Sequence, residues 1–288
     1  MSNTAAAQIR SELLSVRNLA VEFPIKENRV LRALDGVNLN ISEGEVHGLV
    51  GESGSGKTVL ALSILKLIDH PGRMVQGEIL WQGKDLLVLS ERDLNEVRGR
   101  AIAMVFQNAP ASLNPALRIQ TQLVSLLKFR RGMNRSAAEA EASRLLTAVH
   151  LRDSSRVLSS YPHELSVGMA QRVAIALALA CQPRLLIADE PTSALDATVA
   201  VQLLDLLREL RHEFGLSILI ISHDLGVIAR LCDRVSVINA GRIVEHGSAA
   251  EVFHRPQHPY TKALLQSVLV PDPSQTHRSL PLGRVLPP

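Results

Sequence analysis

Gly51-Glu52-Ser53-Gly54-Ser55-Gly56-Lys57-Thr58 lies between a short apolar run, Glu45 to Val50, and an apolar segment, Val59 to Ile68, that reads as a helix. Strand, glycine-rich turn and helix are the setting that the phosphate-loop pattern G-x-x-x-x-G-K-[ST] requires, and all four fixed positions are filled. Glycines let the backbone curl so that successive N–H groups face a polyphosphate. The helix that follows turns its positive N-terminal end on the same anion. Lys57 then reaches the β- and γ-phosphates, and the Thr58 hydroxyl holds Mg²⁺. The loop predicts a chain that binds a nucleoside triphosphate.

Further along, Leu185-Leu186-Ile187-Ala188-Asp189-Glu190 is an apolar run ending in two carboxylates. A strand that buries itself there presents Asp189 at its C-terminal end, beside the phosphate loop, where it holds Mg²⁺ through water. Glu190 can orient or deprotonate the attacking water. Alone, such a run could equally end in a solvated acidic turn; phosphoryl transfer needs both parts, and both are present. His223 follows another apolar run, Leu219 to Ser222, and can contact a γ-phosphate or the attacking water. Gln107 stands in the same relation to Ala101–Phe106, where its amide can ligate Mg²⁺ or sense that water. Taken singly, most such histidines are satisfied structural groups and most such glutamines are merely exposed.

The 288 residues suffice for one large α/β domain or two small ones. A net charge of +3 is too slight to argue for nucleic acid, and scarce aromatic residues disfavour base-stacking surfaces. Two cysteines, Cys181 and Cys232, each inside an apolar stretch, fit a reducing compartment better than a disulfide framework. No run approaches the roughly 18 apolar residues of a membrane span. The segment Met1–Arg10 lacks an apolar core, so it is no secretory signal. A soluble, cytoplasmic chain is expected.

In order, Leu13–Phe23 and Val30–Ile41 read as half-buried strands divided by a polar turn at Lys26-Glu27-Asn28. Gly77–Gly83 and Ala101–Phe106 read as short strands. From Asn108 the pattern turns helical, with amphipathic helices at Ile119–Phe129 and Ser136–His150. This is a helical subdomain inserted in the α/β core. A helix from Ser166, a strand at Arg184–Asp189, a helix at Val199–Phe214 and a strand at Leu216–Ser222 follow. Arg234–Gly247 reads as a hairpin, Ala249–Phe253 and Thr261–Val268 as helical pieces, and the proline-rich last fifteen residues as disordered. Buried strands alternating with helices predict a mostly parallel sheet covered on both faces, with a small antiparallel sheet of the first two strands beside it.

The order GESGSGKT at 51–58, Gln107, LSVGM at 165–169, LLIADE at 185–190, SALD at 193–196 and SHD at 222–224 resembles the nucleotide-binding subunit of an ABC transporter, over residues 11–250. The resemblance implies an α/β P-loop NTPase with a RecA-like core, an N-terminal antiparallel β subdomain and a helical subdomain inserted at about 108–178. It implies ATP and Mg²⁺ as ligands. Gly51 to Thr58 would be the Walker A loop, Asp189 the Walker B aspartate and Glu190 the catalytic base. Gln107 would be the Q-loop, Asp196 the D-loop and His223 the switch histidine. Phe23 is the candidate for stacking on adenine, since a purine face packs on an aromatic face.

Leu165-Ser166-Val167-Gly168-Met169 corresponds to the family's LSGGQ signature, which caps the partner's ATP in a head-to-tail dimer. Ser166 and Gly168 remain; Val167 replaces a glycine. A β-branched residue resists positive φ and crowds a backbone that must approach phosphate, so the site this chain completes on its partner is expected to be the weaker of two. Gln107–Pro115 and His254–Leu265, with its His258-Pro259-Tyr260-Thr261, resemble the oligopeptide/dipeptide importers of that family, making 251–288 a C-terminal extension. With no cysteine after Cys232, an iron–sulfur cluster in the extension is excluded.

The resemblance therefore implies an ATPase subunit energising peptide import. Its expected place is the cytoplasmic face of the cell membrane, bound peripherally. Two integral-membrane permeases, a second ATPase subunit (a sister chain or a copy) and, indirectly, an extracytoplasmic solute-binding protein would be its partners. Nickel-importing relatives share much of the pattern. The rivals are an exporter cassette and a soluble ATPase of the same family acting on DNA or the ribosome. The single cassette and the lack of a strongly basic face weigh against the last.

Overall fold

The structure is a computed structural model that describes residues 11–25 and 29–269. The turn expected at Lys26–Asn28 and the terminal segment expected to be disordered lie outside them. The chain begins with two long strands, β1 (Glu12–Ile25) and β2 (Arg29–Ser42), then β3 (Val46–Val50) and α1 (Lys57–Ile64). There follow β4 (Arg73–Trp81), β5 (Lys84–Asp85), α2 (Glu91–Val97) and β6 (Ile102–Val105). The helical region holds α3 (Ala109–Ser112), α4 (Ile119–Arg131), α5 (Arg135–Ala148), α6 (Ser154–Ser159) and α7 (Val167–Leu179). Then come β7 (Leu185–Asp189), α8 (Ala197–Phe214), β8 (Ser217–Ser222) and α9 (Leu225–Leu231). The described chain closes with β9 (Arg234–Asn239), β10 (Arg242–Ser248), α10 (Ala249–His254) and α11 (Pro259–Leu269).

Two sheets form. One has the order β10-β9-β3-β8-β7-β6, parallel throughout except for the antiparallel edge strand β10. The other has the order β2-β1-β4-β5 and is antiparallel. It therefore recruits β4 and β5 beyond the two strands expected.

Side-chain alternation decides how the sheets are covered, because successive residues of a strand face opposite sides. In β7, Leu186 and Ala188 join a core shared with α4, α5, α7, α8 and α9, while Leu185 and Ile187 join one shared with β1, β2, β4 and α1. β8 divides the same way, with Ile218 and Ile220 on the helical side and Leu219 and Ile221 on the other. The antiparallel sheet is thus stacked on one face of the parallel sheet, not set beside it. With both faces buried, β7 and β8 read as unbroken apolar runs.

The helices of 119–157 share a core with the parallel sheet through Ile119, Leu123, Leu127, Leu145 and Leu146. Gly132 ends α4 in the left-handed conformation at φ 65°, and Asn134 caps α5 by accepting the Ala137 N–H. Among the described residues no helix is long and apolar enough to cross a membrane.

Candidate active site

Three adjacent parallel strands end at one edge of the sheet, and each delivers a different part. β3 lies between β9 and β8, and β7 lies beyond β8. After β3 comes the loop 51–58; after β8 comes His223; β7 ends in Asp189, with Glu190 next. A crevice outside the carboxyl ends of parallel strands is where open α/β sheets bind ligands.

The loop is held from several sides. Gly56 caps α1 at φ 107°, and a Cβ there would meet the Ala33 carbonyl oxygen at 2.8 Å, so β2 excludes any larger residue. A Cβ on Gly51 would come within 2.2 Å of the Ile238 carbonyl oxygen. The tip of the β9–β10 hairpin adds a tie, with Gly241 N–H donating to the Ser55 carbonyl at 2.9 Å. The strand feeding the loop is pinned by a buried network. His47 meets Glu45 at 2.7 Å and Ser236 at 2.9 Å, and Glu45 also accepts the Ser42 N–H. Burial alone would push the Glu45 carboxyl up; these hydrogen bonds win and hold it below its ordinary value.

Lys57 is buried and curls back into the loop, donating to the Gly51 carbonyl at 2.7 Å and the Glu52 carbonyl at 2.8 Å. Two of its three donors are thereby used, leaving one for a phosphate oxygen. Burial lowers its pKa, opposed by the nearby charges of Glu190, Asp189 and Glu52.

Asp189 is 1% exposed, and one of its carboxylate oxygens has no hydrogen-bond partner; the carboxylate meets the Thr58 hydroxyl. Burial, seconded by the charge of Glu190, raises its pKa, against the Thr58 hydrogen bond and Lys57. A half-paired, buried carboxylate beside a hydroxyl and a phosphate loop is a donor set suited to a hard divalent cation that keeps waters and binds phosphate oxygens.

Glu190 carries its backbone at φ 48°, left-handed, while its N–H continues the sheet ladder to the Ile221 carbonyl at 2.9 Å. Its carboxylate accepts the backbone N–H of His223 at 3.1 Å and meets His223 Nδ1 at 2.9 and 2.8 Å. The His223 side chain is 63% exposed. Gln107 leaves the end of β6, two strands beyond His223, with its side chain exposed.

The remaining sequence-predicted residues gather elsewhere. Ser166 caps α7, its hydroxyl accepting the Met169 N–H at 3.3 Å. Asp196 caps α8 by accepting the N–H groups of Thr198 and Val199 at 3.0 Å. Ser166, Gly168, Leu195, Asp196 and Val199 line one open groove. Among the described residues, no hydrogen bond or ion pair joins Ser166, Gly168 or Asp196 to Lys57, Asp189, Glu190 or His223.

The strain expected at Val167 is absent. Its φ is not positive: it is the first helical residue of α7, with its side chain 46% exposed. A helix start accepts a β-branched residue readily, so only the bulk of the side chain in the groove remains of that expectation. Phe23 lies near the end of β1, half-buried, with its ring over Gly72, where a Cβ would come within 2.5 Å of Cε1.

One contact was missed from the sequence. Tyr260, in the C-terminal extension, accepts the Glu52 N–H of the phosphate loop at 3.1 Å. The pattern around Tyr260 was legible, but nothing in its spacing says which surface α11 packs on.

Comparison with known proteins gives two family matches. Residues 34–193 match the ABC transporter family, and residues 244–286 match the oligopeptide/dipeptide transporter C-terminal region. The chain is 48% identical over 257 residues to a probable peptide ABC transporter ATP-binding protein of Sinorhizobium fredii, covering 89% of this chain and 76% of that protein. It is 45% identical over 265 residues to an oligopeptide transport ATP-binding protein of Salmonella typhimurium, covering 92% and 78%. A dimeric, post-hydrolysis ATP-binding cassette bound to ADP and phosphate superposes with a TM-score of 0.73 at 30% identity, covering 82% of this chain and 99% of that one.

Proposed function

The chain belongs to the ABC transporter ATP-binding family, in its oligopeptide and dipeptide branch, and from that premise we propose that it is the ATPase subunit driving uptake of di- or oligopeptides through a membrane permease. The observation that carries this reading is the convergence of loop 51–58, Asp189–Glu190 and His223 at neighbouring strand ends, in a chain whose last segment matches the peptide-transporter C-terminal region.

In this reading the N–H groups of Ser53 to Thr58 and the N-terminus of α1 hold the ATP phosphates, and the free donor of Lys57 bridges to the terminal pair. Thr58 and Asp189 would hold Mg²⁺, with Gln107 available just past the end of β6, and the ion would neutralise charge on the phosphate oxygens. Glu190 accepts a proton from the water that attacks the γ-phosphorus, so that the bond to the ADP oxygen breaks and phosphate leaves. His223 holds Glu190 in place and faces the γ-phosphate. Phe23 stacks on adenine. Ser166, Gly168 and Asp196 belong to the second surface, which closes over the ATP of another ATPase subunit.

The cassette spans 11–250, with the helical subdomain at about 108–178 facing the permease, and 251–288 is an appended extension. It works at the cytoplasmic face of the cell membrane, with two permease subunits, a second ATPase and, across the membrane, a solute-binding protein. The test is a mild-detergent pull-down of the tagged chain from its native membranes. Two multi-span permeases and a second ATPase are expected. Recovery only with ribosomal or DNA-bound proteins would overturn the transport reading, and permeases that bind nickel chelates would move the cargo within the branch.

A further inference from the structure

The C-terminal extension touches the phosphate loop, and it does so at one peptide group. The carbonyl of the Gly51–Glu52 peptide accepts from Lys57 Nζ at 2.7 Å, and the N–H of that same peptide donates to the Tyr260 hydroxyl at 3.1 Å. One peptide plane is therefore clamped at both edges. Lys57 holds it from within the loop and Tyr260 from outside. Lys57 also takes the next carbonyl, that of Glu52, so the position of its ammonium follows the orientation of this plane.

Tyr260 is itself held. Glu245 of β10 accepts the N–H groups of Gln257 at 2.7 Å and His258 at 3.0 Å, fixing the start of α11. His258 Nδ1 accepts the Tyr260 N–H at 3.2 Å, and Thr261 is 1% exposed. Tyr260, Leu264 and Leu265 pack against the helix-side core. The hydroxyl thus projects from an anchored element onto a loop that is otherwise glycine-rich.

We propose that Tyr260 is a positioning residue for ATP binding: it fixes the Gly51–Glu52 peptide, and through it Lys57, and so couples the extension to nucleotide occupancy. The inference rests on the reading of 51–58 as the ATP loop. A loop already held in its bound shape loses less freedom when phosphate arrives. Coupling of this kind is reciprocal, so ATP must steady α11 by the same factor by which Tyr260 tightens ATP.

The experiment uses the full chain and Tyr260→Phe, which removes only the hydroxyl. Binding of Mg²⁺ with the non-hydrolysable analogue AMP-PNP is measured together with amide hydrogen exchange across 257–265 and the melting temperature. The expected result is a Kd raised about three- to tenfold, the range one neutral hydrogen bond carries. Nucleotide should slow exchange in 257–265 of the wild type, and this slowing should vanish in the variant while the melting temperature stays put. A Kd within twofold of wild type, exchange in 257–265 indifferent to nucleotide, or a Kd shift matched by a fall in melting temperature would each overturn the coupling. Lys57→Ala separates the two readings. If it binds AMP-PNP as wild type does, the assignment of the loop fails; if it loses binding while Tyr260→Phe does not, only the role of Tyr260 fails.

Discussion

A glutamate with φ at 48° holds its backbone where an L-residue is disfavoured by about 1–2 kcal/mol. At Glu190 two features offset that cost: the ladder hydrogen bond to Ile221 and the two His223 nitrogens gathered on the carboxylate. The left-handed turn ends β7 and swings the side chain from the strand toward β8. Glutamine keeps the size and the acceptor oxygen but cannot take up a proton, so Glu190→Gln should still bind ATP while turnover falls by about 10²-fold or more. Phosphate release together with nucleotide binding checks this; near-normal hydrolysis would refute the role of Glu190. The candidate site residues stood out because the chemistry proposed for them restricts residue type. Their partnerships did not: Glu190 and His223 stand 33 positions apart, and only the β7–β8 pairing brings them together.

At the scale of elements, the α4–α5 pair shows how the helical region is joined. Glu141 of α5 accepts from Arg131 of α4 at 2.7 Å and from Arg144 on its own helix at 2.8 Å. The Arg144 hydrogen bond, then Arg131, holds its carboxyl down from the ordinary 4.5 to about 2, against the effect of burial. A depressed folded pKa means stability that is fully present above 4.5 and lost as pH falls toward 2. Glu141 is 13% exposed and Arg131 25%, but Arg144 is 46% exposed, so solvent screens the cluster and about 0.5–1 kcal/mol is expected. Glu141→Gln should lower unfolding free energy by that amount at pH 7, and the gap to wild type should shrink between pH 4.5 and pH 3. Denaturant titrations at both ends check it; a gap constant with pH would exclude the ion pair as its source. The longer helices, α4, α5 and α8, were legible from their period. The short helix α2 was not, since only Leu94 of its seven residues is buried and its two apolar residues, Leu94 and Val97, are too few to define a period, although Ser90 caps it. The seven residues of α9 were missed as well, behind their Asp224 cap.

For the whole molecule, the chain presents two separate surfaces: the strand-end site and the groove at the start of α7. In the proposed dimer each would face the other's counterpart. Val167 stands in that groove by its bulk alone, so trimming it should cost the fold little and open the approach to phosphate. In the assembled transporter, Val167→Gly should raise ATP turnover severalfold, measured as phosphate release per complex; an unchanged rate would sink the idea that this groove makes the weaker site. Sequence by itself determined the phosphate loop, the acidic strand end, the buried parallel strands and the order of the family's motifs. These are local: residue type and spacing within one strand, turn or helix start fix them. Only the tertiary structure decided that the antiparallel sheet is stacked on the parallel one, that Val167 starts a helix without strain, and that Tyr260 reaches the phosphate loop. Each of these depends on which surfaces meet across more than a hundred residues, or on a backbone angle set by its neighbours, and no residue's own chemistry records that.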